Sequence, residues 1–332
     1  MARYFENDAG ELVPDALSGF ARAHADLVAY DPGDGFFTAR HSSPARRVGL
    51  LSGGGSGHEP LHAGYVGAGM LDAACPGRVF ASPHNRQIFR ASRAVAGPEG
   101  VLHIVKNYTG DRINFGIAAE RLAAAGITCA RVLIDDDLAS DSEKIAAGRR
   151  GTGATMLVEK VLGGAADTGM GLEGLVELGT ALAGRCRTLA AASAAHTAPA
   201  TGEPAFELLP GELEYGVGIH GERADRTRSQ GRVGALVEDM AGALLDALRP
   251  GPDDPLVALV NNLGAVTSLE LYGIFGELGR VLDGRGVRLA RHLVGDYVTA
   301  LDMRGFSLTL MVADHETLGF YDAPVRTPAL RW

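Results

Sequence analysis

Two kinds of hydrophobic pattern alternate along the chain. Short apolar runs that end in glycine or aspartate are followed by longer stretches in which apolar residues recur every three to four positions. The short runs read as buried strands and the longer ones as helices. On this pattern Val48–Leu51, Val101–Lys106 and Ile127–Ile134 are predicted strands, and Asn114–Ala125, Ala154–Ala166 and Leu172–Arg187 predicted helices. A second series begins with the small-residue strand Thr188–Ala194. A polar loop containing Pro199, Pro204 and Pro210 then leads to Tyr215–His220. Helix Leu236–Leu248, the Pro/Gly/Asp segment Arg249–Pro255, strand Leu256–Val260, helix Leu269–Leu282 and strands Arg288–Leu293 and Ser307–Ala313 complete it. This rhythm predicts two α/β domains with mixed, largely parallel sheets. The boundary is expected at about residue 187, separating an N-terminal domain (1–187) from a C-terminal domain (188–332).

Composition narrows the class. Of the 332 residues, 46% are apolar, enough for a sizeable core. The 46 glycines cluster after apolar runs, where backbone must turn tightly or approach a neighbour closely. A net charge of −9 without a Lys/Arg cluster argues against nucleic acid as a partner. The densest basic stretch, Arg223, Arg226 and Arg228, is interrupted by Asp225. Cys75, Cys129 and Cys186 show no C-x-x-C spacing, so a reducing, cytoplasmic setting is expected and a thiolate metal site is not. The polar start MARYFENDAGEL does not read as a signal peptide, and no apolar run of about 18 residues suggests a membrane span.

Three motifs carry candidate chemistry. Gly53-Gly54-Gly55-Ser56-Gly57-His58-Glu59-Pro60 follows a strand, where consecutive glycines allow backbone N–H groups to face an oxygen-rich ligand. His58 at its end is placed for proton exchange, although a plain turn with a surface histidine would read the same way. The run is not a nucleotide-binding P-loop, because no G-x-x-x-x-G-K-[S/T] occurs in the chain. His58 to His62 does match H-E-x-x-H, but Pro60 and the preceding glycines oppose the continuous helix a zinc site needs, so no metal is expected. Lys106-Asn107-Tyr108-Thr109-Gly110-Asp111 closes a strand at the end where α/β folds bind ligands. There Lys106 can hold a ligand oxygen and Asp111 can accept a proton, or Asp111 can simply cap a helix. Tyr215 to Glu222 sets His220 between glycines, where a neutral imidazole can add to a carbonyl carbon, although a lone histidine at a strand end is more often structural. Gly216, Gly218 and Gly221 fit G-x-G-x-x-G, but the polar, broken GERADRTRSQG that follows is no dinucleotide-binding helix. Asp135-Asp136-Asp137 reads as turn and capping chemistry, since adjacent side chains of an extended run cannot all converge on one ion.

Together and in this order, the motifs resemble the substrate-binding subunit of the dihydroxyacetone kinase family. The likeness runs from LVPDALSGFARAHADL through GLLSGGGSGHEPLHAGYVGAGMLDAACPGRVFASP, VKNYTGDRINF, VLIDDDLA, GRRGTGATMLVEKVLG, YGVGIHGE, ALVNNLGAV and LDMRGFSLTLM to DAPVRTPALRW. It implies a glycerone kinase of glycerol metabolism that holds a short ketose as a hemiaminal on His220. His58 would act as acid/base and Asp111 would take the proton of the hydroxyl being phosphorylated. Gly55, Ser56, Gly57 and Lys106 would line the substrate. It also implies a homodimer, no cofactor in this chain, and ATP or ADP with Mg²⁺ on a separate helical nucleotide-binding subunit. Where many family members have Pro-Gly after GIHGE, this chain has Arg223-Ala224. A four-carbon ketose such as erythrulose, or a non-catalytic ketose sensor, are the alternatives the resemblance carries.

Overall fold

The computed structural model describes residues 4–8, 10–141, 148–224 and 226–332. Asp225 and, of the start MARYFENDAGEL, residues 1–3 and 9 lie outside them. The chain divides into two compact units. One comprises residues 5–134, 155–183 and 317–332, and the other residues 1–4, 135–154 and 184–316. The chain therefore passes between units at four internal points besides the N-terminal one, one of them three residues before the expected boundary at 187. Asp136 and Asp137 join the strand Cys186–Ala194 of the later unit: Thr188 N–H donates to the Asp136 carbonyl at 2.8 Å.

In the first unit, β1 (Val28–Asp31), β2 (Phe36–Ala39), β3 (Gly49–Ser56), β4 (Ala73–Val79), β5 (Val101–Lys106) and β6 (Cys129–Ile134) form one sheet in the order β1-β2-β4-β3-β5-β6. The pairs among β4, β3, β5 and β6 are parallel, and the two at the β1 edge antiparallel. Every residue of β5 is buried, as a central parallel strand covered on both faces requires. Helices α1 (Leu12–Ala23), α2 (Asn85–Val95) and α3 (Thr109–Ala124) belong to this unit, with most of α4 (Ala154–Asp167) and α5 (Leu172–Gly184). Ile88 and Ala91 of α2 and Phe115, Ala118 and Leu122 of α3 pack on Leu51, Cys75, Val101 and Val105.

The second unit carries β7 (Cys186–Ala194), β8 (Glu212–Tyr215), β9 (Thr227–Ser229), β10 (Leu256–Asn262), β11 (Leu289–Gly295) and β12 (Arg304–Val312), in the order β11-β10-β12-β7-β8-β9. Both sheets are mixed, as expected. Parallel pairs dominate only the first, since β10–β11 is the one parallel pair among the described residues of the second. Helices α6 (Val233–Leu248) and α7 (Ser268–Gly284) bury Val237, Met240, Leu244, Leu271, Ile274 and Leu278 against Leu189, Ala258, Leu308 and Leu310. A capping box between Thr267 and Glu270 starts α7, and the chain ends through α8 (His315–Asp322). Among the described residues no helix is long and apolar enough to cross a membrane.

Candidate functional site

The glycine run is strand rather than loop. β3 continues through Gly53, Gly54 and Gly55 to Ser56, paired with β4 throughout. The reason is close packing: a Cβ on Gly55 would come within 2.6 Å of the Phe80 Cα and the Ala81 nitrogen, and one on Gly54 would collide with Lys106 Nζ. The register between β3 and β5 spans Gly49–Ser52 and Val101–Ile104, and beyond it the two parallel strands part. The connection after β3 leads to β4 on one side, and that after β5 to β6 on the other. That reversal is the topological switch point at which α/β sheets place their ligand crevice.

The side chains of the first two motifs gather at this point. Lys106 ends β5 and is 1% exposed. Asp111 lies in the first turn of α3, not at its cap, which is Tyr108. Its carboxylate is 3% exposed and accepts a hydrogen bond from the Ser82 hydroxyl. Ser56 donates from its hydroxyl to the Gly77 carbonyl at 2.7 Å. Gly57 N–H donates to the Glu59 carboxylate at 2.9 Å, and burial raises the Glu59 pKa against those hydrogen bonds. The His58 ring is fully buried and stacks on Phe80 with centroids 4.8 Å apart. Residues 57–62 are not helical, so the H-E-x-x-H spacing does not put both histidines on one helix face. His62 is instead bonded to Ser52, Lys106 and Glu159.

In the second unit, His220 sits in a turn after β8 in which Gly218 N–H donates to the Glu222 carbonyl at 2.8 Å. The Glu222 carboxylate accepts from the His220 backbone N–H at 3.0 Å and meets the ring Nδ1 at 2.9 Å. This fixes the proton on Nδ1 and leaves the Nε2 lone pair as the nucleophilic position. Burial alone would raise the Glu222 acid. The hydrogen bond from the His220 ring and the Arg150 guanidinium work against it and hold the pKa below the ordinary carboxylate value. Arg150 in turn pairs with Asp137 at 2.6 Å. Gly218 leaves room for this arrangement, since a Cβ there would displace the Glu222 carboxylate and the Arg150 guanidinium. His196, 4% exposed, lies against Gly221; burial lowers its pKa against the opposing charge of Asp302.

The aspartate run behaves as capping chemistry. Asp137 accepts from the Ala139 N–H at 3.0 Å, and Asp136 accepts from the Thr152 and Ala154 N–H groups at 2.6 and 2.9 Å. Arg223, the departure from the family pattern, pairs at 2.9 Å with the buried Glu214 carboxylate.

The Dak1 domain family model matches residues 18–329. The chain belongs to the Dak1 family. It is 42% identical to the PEP-dependent dihydroxyacetone kinase, dihydroxyacetone-binding subunit DhaK, of Escherichia coli K12, over 98% of both chains. It is 39% identical to the DhaK subunit of PTS-dependent dihydroxyacetone kinase 1 of Listeria innocua, over 97% of this chain and 98% of the relative. Among solved structures, the dihydroxyacetone kinase of C. freundii superposes with a TM-score of 0.88 at 34% identity; this chain is covered to 99% and spans 60% of that one. The dihydroxyacetone kinase operon co-activator Dha-DhaQ superposes with a TM-score of 0.89 at 30% identity, over 97% of this chain and 98% of that one.

Within this Dak1 chain the structure brings Gly55, Ser56, Gly57, His58, Lys106 and Asp111 to one region of the first unit. His220 belongs to the second unit. Sequence reasoning passed over Glu222, Arg150, His196 and Glu159. Glu222 was within reach, two residues from His220 in the same turn.

Proposed function

We propose that the chain is the ketose-binding subunit of a dihydroxyacetone-type kinase and holds its substrate covalently on His220. The observation that carries this reading is the Glu222–His220 pair, which presents Nε2 as a neutral nucleophile, in a chain aligned end to end with dihydroxyacetone-binding DhaK subunits. Nε2 adds to the ketone carbon, the carbonyl π electrons move to oxygen, and that oxygen takes a proton, with His58 as the acid/base. Lys106, Gly55, Ser56 and Gly57 hold the remaining oxygens. Asp111 takes the proton of the terminal hydroxyl as it attacks the phosphorus of the donor. The phosphoryl group comes from ATP with Mg²⁺ on a nucleotide-binding partner, leaving ADP, or from a phosphotransferase-system protein with ADP retained on that partner. A C. freundii kinase solved with AMP-PNP and Mg²⁺ supports this, 35% identical and longer than this chain, which spans 59% of it. The subunit works as a homodimer in the cytoplasm. Calorimetric titration with dihydroxyacetone tests the binding step: wild type binds it, and His220→Ala loses most of the affinity.

The end-to-end likeness to an operon co-activator favours one second reading, a ketose sensor that acts on transcription through a partner. Phosphorylation of dihydroxyacetone when a helical nucleotide-binding subunit is added supports the kinase. Ketose binding without any transfer in that assay supports the sensor.

A further inference from the structure

Behind Lys106 lies a buried polar chain that the proposed chemistry leaves unused. Lys106 Nζ is 2.7 Å from His62 Nε2, and His62 Nδ1 is 2.7 Å from Glu159 Oε1 on α4. Ser52 on β3 fixes the ring between them: its hydroxyl donates to the Ile104 carbonyl at 2.7 Å and meets Nδ1 at 2.9 Å. Lys106, His62 and Glu159 are 1%, 5% and 0% exposed. The other ionisable groups facing them are Asp111 on α3, which acts on Lys106, and His58, which acts on His62. Lys160, next to Glu159 in sequence, is turned away and donates to the Phe320 carbonyl at 3.0 Å.

Two proton arrangements satisfy these distances, with the Ser52 hydroxyl turned from the Ile104 carbonyl to Nδ1 in the second. In one, the Lys106 ammonium donates to Nε2, and Nδ1–H donates to the Glu159 carboxylate. In the other, one proton has moved from Lys106 to Nε2 and another from Nδ1 to Glu159, so that a neutral amine and a neutral acid flank the opposite imidazole tautomer. The chain Lys106–His62–Glu159 has zero net charge in both. Exchanging a proton with solvent would leave a net charge buried, which is costly, whereas moving one from end to end does not. The electrostatics point the same way. Burial raises the Glu159 acid to about 8 against the Ser52 hydrogen bond and the Lys106 charge. It lowers Lys106 against the charges of Asp111 and Glu159. It also holds His62 well below its ordinary value, helped by Lys106 and His58, so the ring carries protons without keeping an extra one.

We infer that Lys106 and Glu159 share one proton through His62, so that Lys106 becomes an ammonium ion by drawing on Glu159 rather than on solvent. The use of that charge, to meet negative charge growing on a substrate or phosphoryl oxygen, rests on the ketose-kinase reading; the sharing of the proton does not. Glu159 and His62 touch neither reactant in this scheme and act as positioning residues through Lys106.

The chain has three lysines, Lys106, Lys144 and Lys160, so ¹³Cε/¹⁵Nζ-labelled lysine gives a spectrum of three side chains, assigned with Lys144→Arg and Lys160→Arg. In the wild-type chain the Lys106 signal should not titrate with solvent between about pH 6 and 9, because loss of its proton would leave a buried net charge. In Glu159→Gln it should titrate inside that window, with Lys160 unmoved. His62→Gln gives the same readout if Glu159→Gln does not fold, since it cuts Lys106 off from the carboxylate. A wild-type Lys106 that titrates in that window, or a folded variant whose Lys106 does not titrate there, overturns the inference. Failure of wild type to take up ketose would overturn the kinase reading and leave the lysine titration standing.

Discussion

Asp111 owes its position to two local features, the first turn of α3 and the Ser82 hydroxyl that donates to its carboxylate. A general base at the transferring hydroxyl acts when phosphorus is attacked, not when the ketose binds. Asp111→Asn should therefore lower turnover by about 10²- to 10⁴-fold while ketose affinity stays near wild type. Paired turnover and calorimetric measurements with the partner subunit check this, and near-normal turnover would remove Asp111 from the role. At His220 the equivalent lever is Gly218. A methyl group there would push Glu222 off the ring and release the tautomer it enforces. Displacements of about 1 Å can cost about 10²-fold in a positioned reaction. Gly218→Ala should weaken ketose capture by a factor of that order without unfolding the domain, read by calorimetry beside circular dichroism.

At the scale of elements, β5 shows what its burial imposes. His103 is 1% exposed between Ser92 Oγ at 2.8 Å and Cys129 Sγ at 3.4 Å. Burial, with the charge of Arg131, drives its pKa down to about 3. A folded-state value depressed below the ordinary one means that the stability it contributes is whole above about pH 6.5 and is lost as pH falls toward 3. The loss approaches about 1.4 kcal/mol per pH unit where the unfolded chain binds the proton and the folded chain does not. His103→Gln should flatten the decline of Tm in that window, as seen in parallel melts at pH 7 and 4.5. β5 was legible because its six residues form one apolar run ending in a charged residue. β6, β7, β10, β11 and β12 and helices α3 to α7 were placed for the same reason, with ends shifted by a few residues, whereas the expected run Tyr215–His220 meets β8 only at Tyr215 and β9 and α8 were not foreseen. β4, with the sequence AACPGRV, was not legible: it has Pro76 and Gly77 within it and one β-branched residue, and its pairing with β2 and β3 overrides that local preference. The glycine run was placed correctly but read as a loop, because the sequence does not show that Phe80 and Ala81 press against it. Glu159 was missed because an adjacent Glu-Lys pair on a helix usually faces water. α4 is apolar around its whole circumference, with Met156, Leu157, Val158, Val161 and Leu162 all buried, and such a helix buries its charges too.

At the scale of the whole molecule, the chain builds two sheets with separate cores and no P-loop sequence anywhere in its 332 residues. The purified chain should therefore transfer no phosphate from ATP to dihydroxyacetone alone, and should do so once a nucleotide-binding partner is added; a coupled assay with and without the partner reads this. Covalent capture is the central claim, and it makes the carbonyl itself the recognition element. Glycerol offers the same terminal hydroxyls on three carbons but nothing for Nε2 to attack, so hydrogen bonding alone would separate the two poorly. Native intact-mass measurement with each ligand in turn is the most direct test. Wild-type chain should gain the full mass of dihydroxyacetone, since a hemiaminal forms without loss of water, and should gain nothing from glycerol, while His220→Ala gains nothing from either. An adduct that survives in His220→Ala, or glycerol retained by wild type as well as the ketose, would contradict the account.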